Sequence, residues 1–540
     1  MMIQLLFRMV VVKFQKSELF ELTYIKSIKD LEPIIEKIGI EIKREDEDTI
    51  DIELYPDRPD LIPIEGLARA INNIFISGNL KEYKARSSKI EFFVDLDLTG
   101  IRPYIVSALV KNLKINDQVI KDMMETQEKL HLTLGRKREK VAIGLHDFDK
   151  VKAPFYYYAA DPIETAFEPL GMEKVLNLKE ILREHAKGKE YGDVLKNFEK
   201  YPVIKDSNNN ILSFPPIING SLTEITSNTK NVLIDCTGTD LKTLIFTLNI
   251  LATALADRNA ELYKVKIHYP FGDLILPDLK YQSYTIKKEH IKRLLGMDFS
   301  DEVLLSSLRK MGYDARVYSN SLRVKSPPYR MDIMHENDII EDIAKGFGFE
   351  NFVLMLPEKY TVGTSSSIEN LKNRYRSIMT GFQFIEVTTL TLIPSISEFS
   401  SPGDISLLNP VTEDQTLIRS MLVPSLFNIL NRNRHNPLPQ KIFEIGDVID
   451  NQSQETHVAG LAVYSKAGFT DIKSYVESLF NQIGIEIKIE PASLPFFIEG
   501  RAASIWHNKE KIGFFGEFHP RILEKFEIAN PTIGFESKIV

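Results

Sequence analysis

The chain has 540 residues, of which 43% are apolar and 26% are charged, and it contains one cysteine, Cys236. This length exceeds what a single hydrophobic core organises, so we expect roughly three to five domains. One cysteine excludes a disulfide framework and a cysteine-rich zinc site, and it fits a reducing compartment, so we expect a cytoplasmic protein. Because the net charge is −8, a nucleic-acid partner would need a local basic patch.

The N-terminal stretch MMIQLLFRMVVVKF is apolar, but we do not predict it to be a targeting segment. Arg8 interrupts it and no small-residue cleavage site follows, which argues against a signal peptide. No apolar run of the sequence reaches the roughly 18 to 20 residues of a membrane helix, so we expect no membrane association. Met9 opens a strand-like run, and residues 1–8 are therefore predicted to be a dispensable extension.

Residues 1–90 are predicted to form an N-terminal α+β domain. The stretch LEPIIEKIGI has the pattern of an amphipathic helix. In LYPDRPDLIPIEGLARAINNIF the prolines set a turn, after which Ile64, Leu67, Ala68 and Ile71 recur at helical spacing.

Residues 91–270 alternate strand-like stretches, such as KVAIGLHDF and NVLIDCTG, with helical ones, such as LKTLIFTLNILATALADR, which predicts an α+β or α/β domain. Residues 272–352 predict a small α+β domain with the helices KKEHIKRLLG and DEVLLSSLRKMG, the hairpin YDARVYSNSLRVKSPP and an acidic helix. After a predicted linker, LPEKYTVGTSSS, residues 358–540 open with a long amphipathic helix and become rich in strands. The predicted fold is multidomain α+β.

The acidic helix belongs to a cluster of four carboxylates: Asp332, Asp338, Glu341 and Asp342. The last three stand at i, i+3 and i+4 of a helix predicted from Glu336 to about Lys345, so they are expected to share one face. Their like charges repel and require a cation or a basic partner. The first precedes the helix and could fold over its N-terminal turn.

Three interpretations of this cluster remain open from the residues alone. Carboxylates without histidine or thiol among them suit a hard cation such as Mg²⁺. A solvated helix with an acidic N-terminus, favoured by the helix dipole, is the simpler alternative. A nuclease or phosphatase using a carboxylate-bound metal is the third, and it would require a cleft with open metal positions.

The stretch PPYRMDIMHENDIIEDIAKGFGFENF closely resembles the end of the B5 domain of the phenylalanyl-tRNA synthetase β subunit family. Other stretches resemble that family in the same order: RPDLIPIEGLARAI its N-terminal signature, AIGLHDFDKV the start of its editing domain, LNPVTEDQTLIRSMLVPSLFNIL and KIFEIGDVI its class II-like core, and GFFGEFHPRIL its closing segment. The resemblance covers nearly the whole chain. The length and the absence of extra terminal RNA-binding domains are typical of the archaeal or eukaryotic form.

The resemblance implies specific domains and partners. Residues 91–270 would be the B3/B4 editing domain, 272–352 a winged-helix-like B5 domain, and 358–540 a degenerate class II synthetase-like antiparallel sheet. The chain would assemble with an α subunit as an (αβ)₂ heterotetramer that binds tRNA(Phe) and uses ATP and Mg²⁺. In the family the acidic set coordinates Mg²⁺ at the contact with α. Asp342 stands where the family usually has Glu, so it could reach the ion through a water.

The class II-like part lacks the residues that bind the phosphates of ATP. Class II catalysis needs an arginine in an Arg-x-Glu loop and a second one in a glycine-rich segment. Here KIFEIGDVID runs into NQSQETH, and the chain ends in TIGFESKIV, without either arginine. We therefore expect a structural pseudo-enzyme, with Arg419 forming a supporting salt bridge.

An editing site is the remaining chemistry that the resemblance implies, namely hydrolysis of tyrosine wrongly attached to the tRNA. An apolar pocket rejects an added hydroxyl only weakly, by roughly 10²-fold, whereas a site that requires the hydroxyl discriminates better. The positions that match the archaeal editing site are Ile204, Ser213, Asp235 and Thr237. Ser213 and Asp235 would bind the amine or the phenol, Thr237 would place a water near the ester, and Ile204 would wall the ring.

Several expectations about neighbouring residues accompany this hypothesis. Cys236 lies between two pocket residues of a strand and should face the core instead. His146 could belong to the pocket or be a hydrogen-bonded structural histidine. The basic run GRKREK at 135–140 is either a solvated loop or a phosphate contact. The alternative to an editing subunit is a tRNA- or partner-binding scaffold without editing activity.

Overall fold

The computed structural model describes residues 10–75, 80–356, 361–451 and 453–540. Two compact units divide the chain between residues 355 and 356. The predicted extension at residues 1–8 and part of the predicted linker, residues 357–360, lie outside the described residues. No helix of the described ranges is long and apolar enough to cross a membrane.

The N-terminal part of the first unit is a three-stranded antiparallel sheet with three helices. Strand Thr49–Leu54 lies between Val10–Gln15 and Glu41–Glu45, and the helices are Lys16–Leu22, Ile28–Ile38 and Ile64–Asn73. The four apolar residues predicted to recur at helical spacing are buried in the last of these helices, which confirms that prediction.

The centre of the first unit is a mixed sheet whose described strands run, in spatial order, Ile218–Asn219, Ile211–Phe214, Tyr201–Lys205, Phe155–Ala160, Glu91–Val94, Glu261–Tyr269, Tyr104–Lys111, Val232–Gly238 and Val141–Asp147. Two more strands, Gly272–Leu276 and Ala85–Arg86, pair with Glu261–Tyr269. The accompanying helices are Asp117–Leu132, Leu178–Glu184, Ala186–Tyr191 and Leu241–Asp257, and the short strands Ala166–Phe167 and Leu176–Asn177 pair beside them.

The capping residues explain where the two long helices begin. The Asn116 side chain accepts a hydrogen bond from the backbone N–H of Val119, and Asp240 does the same for Thr243. Both caps satisfy a backbone donor that has no partner inside the helix. The apolar helix that follows Asp240 is buried over most of its length.

The last part of the first unit is a three-stranded sheet, Gln282–Lys287, Ser321–Ser326 and Asp314–Val317, with helices Lys288–Leu295, Asp301–Lys310 and Glu336–Phe347. Both predicted helices and the predicted hairpin are confirmed. The acidic helix begins at the predicted Glu336 and buries Ile339, Ile340 and Ile343.

The second unit is built on a seven-stranded sheet in the order Ile385–Glu386, Gln440–Ile449, Gln454–Val463, Thr532–Lys538, Glu510–Phe518, Phe497–His507 and Lys488–Pro491. All its pairs are antiparallel except the first. A small sheet joins Leu392–Ile393, Leu417–Ile418 and Ile405–Ser406, and the helices are Ser367–Gly381, Val423–Arg432, Phe469–Ile483 and Pro520–Lys525. The fold is thus multidomain α+β, while the finer division into four domains stays a prediction.

Candidate functional site

A cavity of about 370 Å³ in the first unit brings together three of the predicted pocket residues. Ser213, Asp235 and Thr237 line it, together with apolar residues that include Ile143 and Phe214. We call it the sheet cavity. Its mixture of an apolar wall and a few polar groups is typical of sites that bind small organic ligands.

The strand Val232–Gly238 places two of these side chains on one face. Asp235 and Thr237 are two residues apart, so both project to the cavity side, while Cys236 projects to the opposite side. Cys236 is fully buried in the apolar core, and burial raises the pKa of its thiol. The prediction that it packs in the core is confirmed, and that it takes no part as a nucleophile stays a prediction.

Asp235 is held by a chain of buried hydrogen bonds. Its Oδ2 lies 2.7 Å from Nε2 of His146, and Nδ1 of the same ring lies 2.8 Å from Oγ1 of Thr223. All three residues are buried. His146 therefore fixes the orientation of the Asp235 carboxylate from behind, and the sequence had left this role open.

Gly144 makes this arrangement possible. It lies directly opposite Asp235 on the neighbouring strand, and a Cβ atom built on it would be 2.1 Å from Asp235 Oδ2 and 2.8 Å from His146 Nε2. A side chain at this position would collide with the hydrogen bond between the two. The glycine of GLHDF was not singled out in the sequence, because its partner lies on a distant strand.

Ser213 contributes a polar group that the protein itself does not satisfy. The residue is 2% exposed, and its Oγ atom has no hydrogen-bond partner among the described residues. An unpaired buried hydroxyl is costly unless a ligand or a water completes it. The position of Ser213 on the cavity wall makes a ligand the natural partner.

Ile204 does not line the sheet cavity, contrary to its predicted role as a wall for the ring. It pairs with Ser213 across the strands but is 1% exposed and packs in the main apolar core of the unit. Apolar side chains of other segments, among them Phe214 and Ile217, form the wall instead. Sequence reasoning missed them because they are not distinguished from ordinary core residues.

The basic run 135–140 contributes a buried cavity residue. Arg138 is 8% exposed, donates hydrogen bonds to the carbonyl oxygens of Pro216 and Ile217, and lies 3.2 Å from a carboxylate oxygen of Glu128. Neither a solvated loop nor a free phosphate contact describes this arginine, although Arg136 and Lys137 are exposed. Tertiary contacts from residues about 80 positions away turn it inward.

Arg102 is the second functional candidate that the sequence did not reveal. It is 2% exposed, and its Nε donates to Thr237 Oγ1 at 3.0 Å while Nη2 donates to Thr237 O at 2.6 Å. Burial lowers the pKa of its guanidinium to about 10, so it remains charged at neutral pH. A charged group thus stands behind the Thr237 wall of the sheet cavity.

The four acidic residues of the predicted metal site do not converge. Asp332 and Asp342 both bind Arg330, whose Nη2 lies 2.5 Å from Asp332 Oδ2 and 2.6 Å from Asp342 Oδ2. Asp342 is buried and also accepts a hydrogen bond from Tyr313 Oη at 2.5 Å. Burial alone would raise the pKa of Asp342, but the charges of Arg330 and Arg58 outweigh it and lower this pKa.

The other two acids have separate roles. Asp338 Oδ2 accepts hydrogen bonds from the backbone N–H groups of Met334 and His335, both at 2.8 Å, which caps the start of the helix. Glu341 is exposed and pairs with Lys345 at 2.9 Å. The expected single acidic face is therefore split, because the side of the helix that bears Asp342 packs inward, whereas the side that bears Glu341, about 100° further around the axis, faces solvent.

This arrangement does not fit an ion held by the four side chains of this chain alone. Within the described ranges, no group of three His, Cys, Asp or Glu residues is arranged to hold a metal ion. The repulsion between the carboxylates was expected to require a basic partner. Arg330 and Lys345 of the same chain provide it. The magnesium site stays a prediction.

In the second unit, the predicted salt bridge of Arg419 is confirmed. Arg419 Nη1 lies 2.7 Å from Glu444 Oε1 and 2.9 Å from Thr389 Oγ1, and both charged residues are buried. The side chain of Arg419 is therefore engaged by partners within the unit.

The core of this unit includes a cluster of phenylalanine side chains beside helix Val423–Arg432, in which the Phe427 and Phe526 rings stack 4.9 Å apart.

Comparisons with known proteins match three segments to family models. Residues 100–250 match the B3/4 domain, residues 284–349 the tRNA synthetase B5 domain, and residues 355–539 the phenylalanyl tRNA synthetase beta chain CLM domain. The sheet cavity is built largely from the first segment and the acidic helix lies in the second.

Whole-chain relatives and a solved structure agree with these matches. The phenylalanine–tRNA ligase beta subunit of Methanosarcina barkeri is 41% identical over 520 residues, covering 94% of this chain and 95% of that protein. The corresponding subunit of Methanosphaera stadtmanae is 38% identical and covers 98% of this chain and 99% of its own. An N-terminal fragment of the phenylalanyl-tRNA synthetase beta subunit from Pyrococcus horikoshii superposes with a TM-score of 0.61 at 36% identity, covering 63% of this chain and 99% of the fragment.

Proposed function

Because the chain belongs to the family of phenylalanine–tRNA ligase beta subunits, we propose that it is the non-aminoacylating subunit of a cytoplasmic ligase complex. The complex joins phenylalanine to tRNA(Phe) with ATP, and its aminoacylation site lies on an α subunit. The expected assembly is an (αβ)₂ heterotetramer.

The second unit supports a structural rather than a catalytic role for its class II-like sheet. The strand Gln440–Ile449 is not followed by an Arg-x-Glu loop, so the arginine that would bind the α-phosphate of ATP is missing. Arg419, which survives nearby, is committed to Glu444. ATP binding by the complex is therefore assigned to α.

The sheet cavity is the proposed editing site, which hydrolyses tyrosine from mischarged tRNA(Phe). The observation that carries this proposal is the convergence of Ser213, Asp235 and Thr237 on one cavity, with the Ser213 hydroxyl unpaired. Its volume of about 370 Å³ lies in the range of small-molecule pockets, roughly 300 to 1,000 Å³.

The chemistry of the wall matches the discrimination that editing needs. The hydroxyl of tyrosine can complete a buried polar group, whereas phenylalanine would leave it unpaired, at about 1–3 kcal/mol. Ser213 and Asp235 are the groups proposed to bind the phenol and the amine of the substrate. Asp235 keeps its orientation without the substrate because His146 holds one of its oxygens.

Deacylation of Tyr-tRNA(Phe) by the chain assembled with its α subunit tests the proposal. We expect rapid release of tyrosine, slow release of phenylalanine, and loss of the first activity in Ser213→Ala and Asp235→Ala. Equal rates for the parental complex and for tRNA in buffer would favour the alternative, a tRNA- and partner-binding scaffold without editing activity.

We further propose that Mg²⁺ binds at Asp332, Asp338, Glu341 and Asp342 only once α has docked. In this chain alone Arg330 engages two of these carboxylates, so a change in its pairing must precede binding. Calorimetric titration with Mg²⁺ should give no binding here for the isolated chain and binding for the complex. Equal Mg²⁺ binding by both, lost in Glu341→Ala, would contradict the dependence on α.

A further inference from the structure

The buried Arg102 is a charged group without an ion pair among the described residues. Its three N–H contacts go to the hydroxyl and the carbonyl of Thr237 and to the carbonyl of Glu139, the last at 3.1 Å. A buried cation is costly unless charge of the opposite sign compensates it. The carboxylate of Asp235, which lines the same cavity, favours the charged form of Arg102 without forming an ion pair with it. Negative charge that develops on a ligand in the cavity would add to this compensation.

The direction of the hydrogen bond defines what Thr237 can offer. A guanidinium has only donors, so Arg102 Nε–H donates and Thr237 Oγ1 accepts. The hydroxyl hydrogen of Thr237 must then point away from Arg102, and none of the described residues accepts it. Thr237 is fully buried but lines the sheet cavity, so an oxygen of a ligand there could accept it. A hydroxyl that accepts from a charged donor is polarised and becomes a stronger donor itself.

We propose that Arg102 is a positioning residue that fixes Thr237 as a hydrogen-bond donor toward an oxygen that gains negative charge in the sheet cavity. The inference rests on the proposed editing function and assigns the oxygen as the ester carbonyl of the aminoacyl-tRNA. It differs from the role expected from the sequence, in which Thr237 placed a water.

The reaction step follows from ester hydrolysis. The oxygen of a water molecule bonds to the carbonyl carbon, and the carbonyl oxygen becomes an oxyanion that accepts from Thr237. The bond between this carbon and the ribose oxygen of the tRNA then breaks, and a proton that came from the water goes to the ribose oxygen. Donors aimed at such an oxyanion lower the barrier because the charge develops only in the transition state.

A structural role for Arg102 is separable from this one, because its guanidinium also binds two backbone carbonyls. Thr237→Val removes the hydroxyl and keeps the backbone carbonyl and the buried shape, whereas Thr237→Ser keeps the hydroxyl. Arg102→Lys keeps the charge and loses the fork that reaches Oγ1. Thr247→Val is the matched control, since Thr247 is a buried threonine of helix Leu241–Asp257 whose hydroxyl bonds only to its own helix.

The experiment is steady-state deacylation of Tyr-tRNA(Phe) by the full chain assembled with α, using the parent, these variants and the double variant Arg102→Lys/Thr237→Val. We expect Thr237→Val to lower kcat by at least about tenfold with little change in KM, because the interaction forms in the transition state. Thr247→Val should remain near the parental rate, and Thr237→Ser should recover most of the activity that Thr237→Val loses, because it restores the hydroxyl. Arg102→Lys alone should lower kcat by at least about tenfold. Combined with Thr237→Val, it should lower kcat little further than Thr237→Val alone.

Two results would overturn the inference while leaving editing intact. One is a parental rate for Thr237→Val, which would mean that the hydroxyl is not used. The other is an equal fold-loss of kcat when Arg102→Lys is introduced into the parental chain and into Thr237→Val, which would mean that the arginine only supports the backbone. If the parental complex does not deacylate Tyr-tRNA(Phe) at all, the editing proposal fails and the inference falls with it.

Discussion

At the scale of single residues, the polar wall of the sheet cavity depends on closely packed side chains. Asp235, His146 and Thr223 form a buried chain of hydrogen bonds. Because Gly144 has no side chain, there is space for the hydrogen bond between His146 and Asp235. The polar groups of the wall are therefore positioned before a ligand arrives, which is the condition for selective binding.

Gly144→Ala should disrupt this chain. The added Cβ would meet Asp235 Oδ2 at 2.1 Å, so the carboxylate must move. We expect Tyr-tRNA(Phe) deacylation to slow by at least about tenfold, with phenylalanine charging unchanged. The control is Gly100→Ala, where a Cβ would meet nothing within 4 Å. Deacylation by Gly144→Ala at the parental rate would show that Asp235 need not be fixed.

Cys236→Ala should behave in the opposite way. The thiol is fully buried on the core side of the strand, so its removal leaves a small cavity and costs about 1 kcal/mol of stability. Cys236→Ala should deacylate Tyr-tRNA(Phe) at the parental rate, whereas Asp235→Ala, on the other face of the strand, should lose this activity. Thermal denaturation and single-turnover deacylation of the two variants provide the measurement. A stable Cys236→Ala variant that no longer edits would reverse this assignment of faces.

At the scale of elements, a partly buried charge cluster joins four helices of the first unit. Arg258 follows helix Leu241–Asp257 and lies 2.5 Å from Glu18 and 3.8 Å from Asp122, and it also binds Glu65. Three acids around one cation leave an excess of negative charge. Burial and a hydrogen bond to Glu18 raise the pKa of Asp122 to about 8.

The stability of the first unit should therefore fall in mild alkali. An unfolded aspartate has a pKa of roughly 3.9, so Asp122 binds its proton more tightly when folded. Its contribution is full below pH 4 or so and is lost as the pH rises through about 8. Asp122→Asn should therefore raise the free energy of unfolding by about 1–3 kcal/mol more at pH 9 than at pH 5, because most of the loss occurs between these two pH values.

Denaturation at the two pH values checks this, with Asp117→Asn as the control. Asp117 is exposed on the same helix, so its substitution should have the same effect at both values. An equal effect of Asp122→Asn at pH 5 and pH 9 would mean that Asp122 is ionised throughout.

The acidic helix yields a prediction that separates folding from assembly. Asp338→Ala removes a helix cap and should destabilise the isolated chain by about 1 kcal/mol. Glu341→Ala should leave that stability within about 0.5 kcal/mol, since Glu341 makes only an exposed ion pair, but should weaken association with α. Thermal melting of the chain and light scattering of the complex measure the two effects. Normal assembly of Glu341→Ala at low Mg²⁺ would make this acid part of a solvated face.

At the scale of the whole molecule, each unit has its own core, and the proposed chemistry is confined to the first. We expect that the purified chain forms no phenylalanyl-adenylate, because both phosphate-binding arginine segments are missing from the second unit. ATP–pyrophosphate exchange dependent on phenylalanine measures this, with the complex containing α as the positive control. Exchange by the chain alone would overturn the assignment of aminoacylation to α.

The sequence alone determined the features that depend on neighbours along the chain. Alternation in VLIDCTG separated Asp235 and Thr237 from Cys236. Helical spacing also predicted two helices, which the structure places at Ile64–Asn73 and Glu336–Phe347. These inferences hold because the periods of strand and helix are properties of the local backbone.

Only the tertiary structure decided which distant groups meet. Arg102 and Thr237 are 135 residues apart, and His146 and Asp235 are 89 residues apart, so no local pattern could pair them. The burial of Arg138, the packing of Ile204 in the apolar core and the ion pair between Arg330 and Asp342 depend in the same way on packing between segments. The elements that pack against a side chain determine its environment, whereas periodicity determines only which face of its own strand or helix bears it.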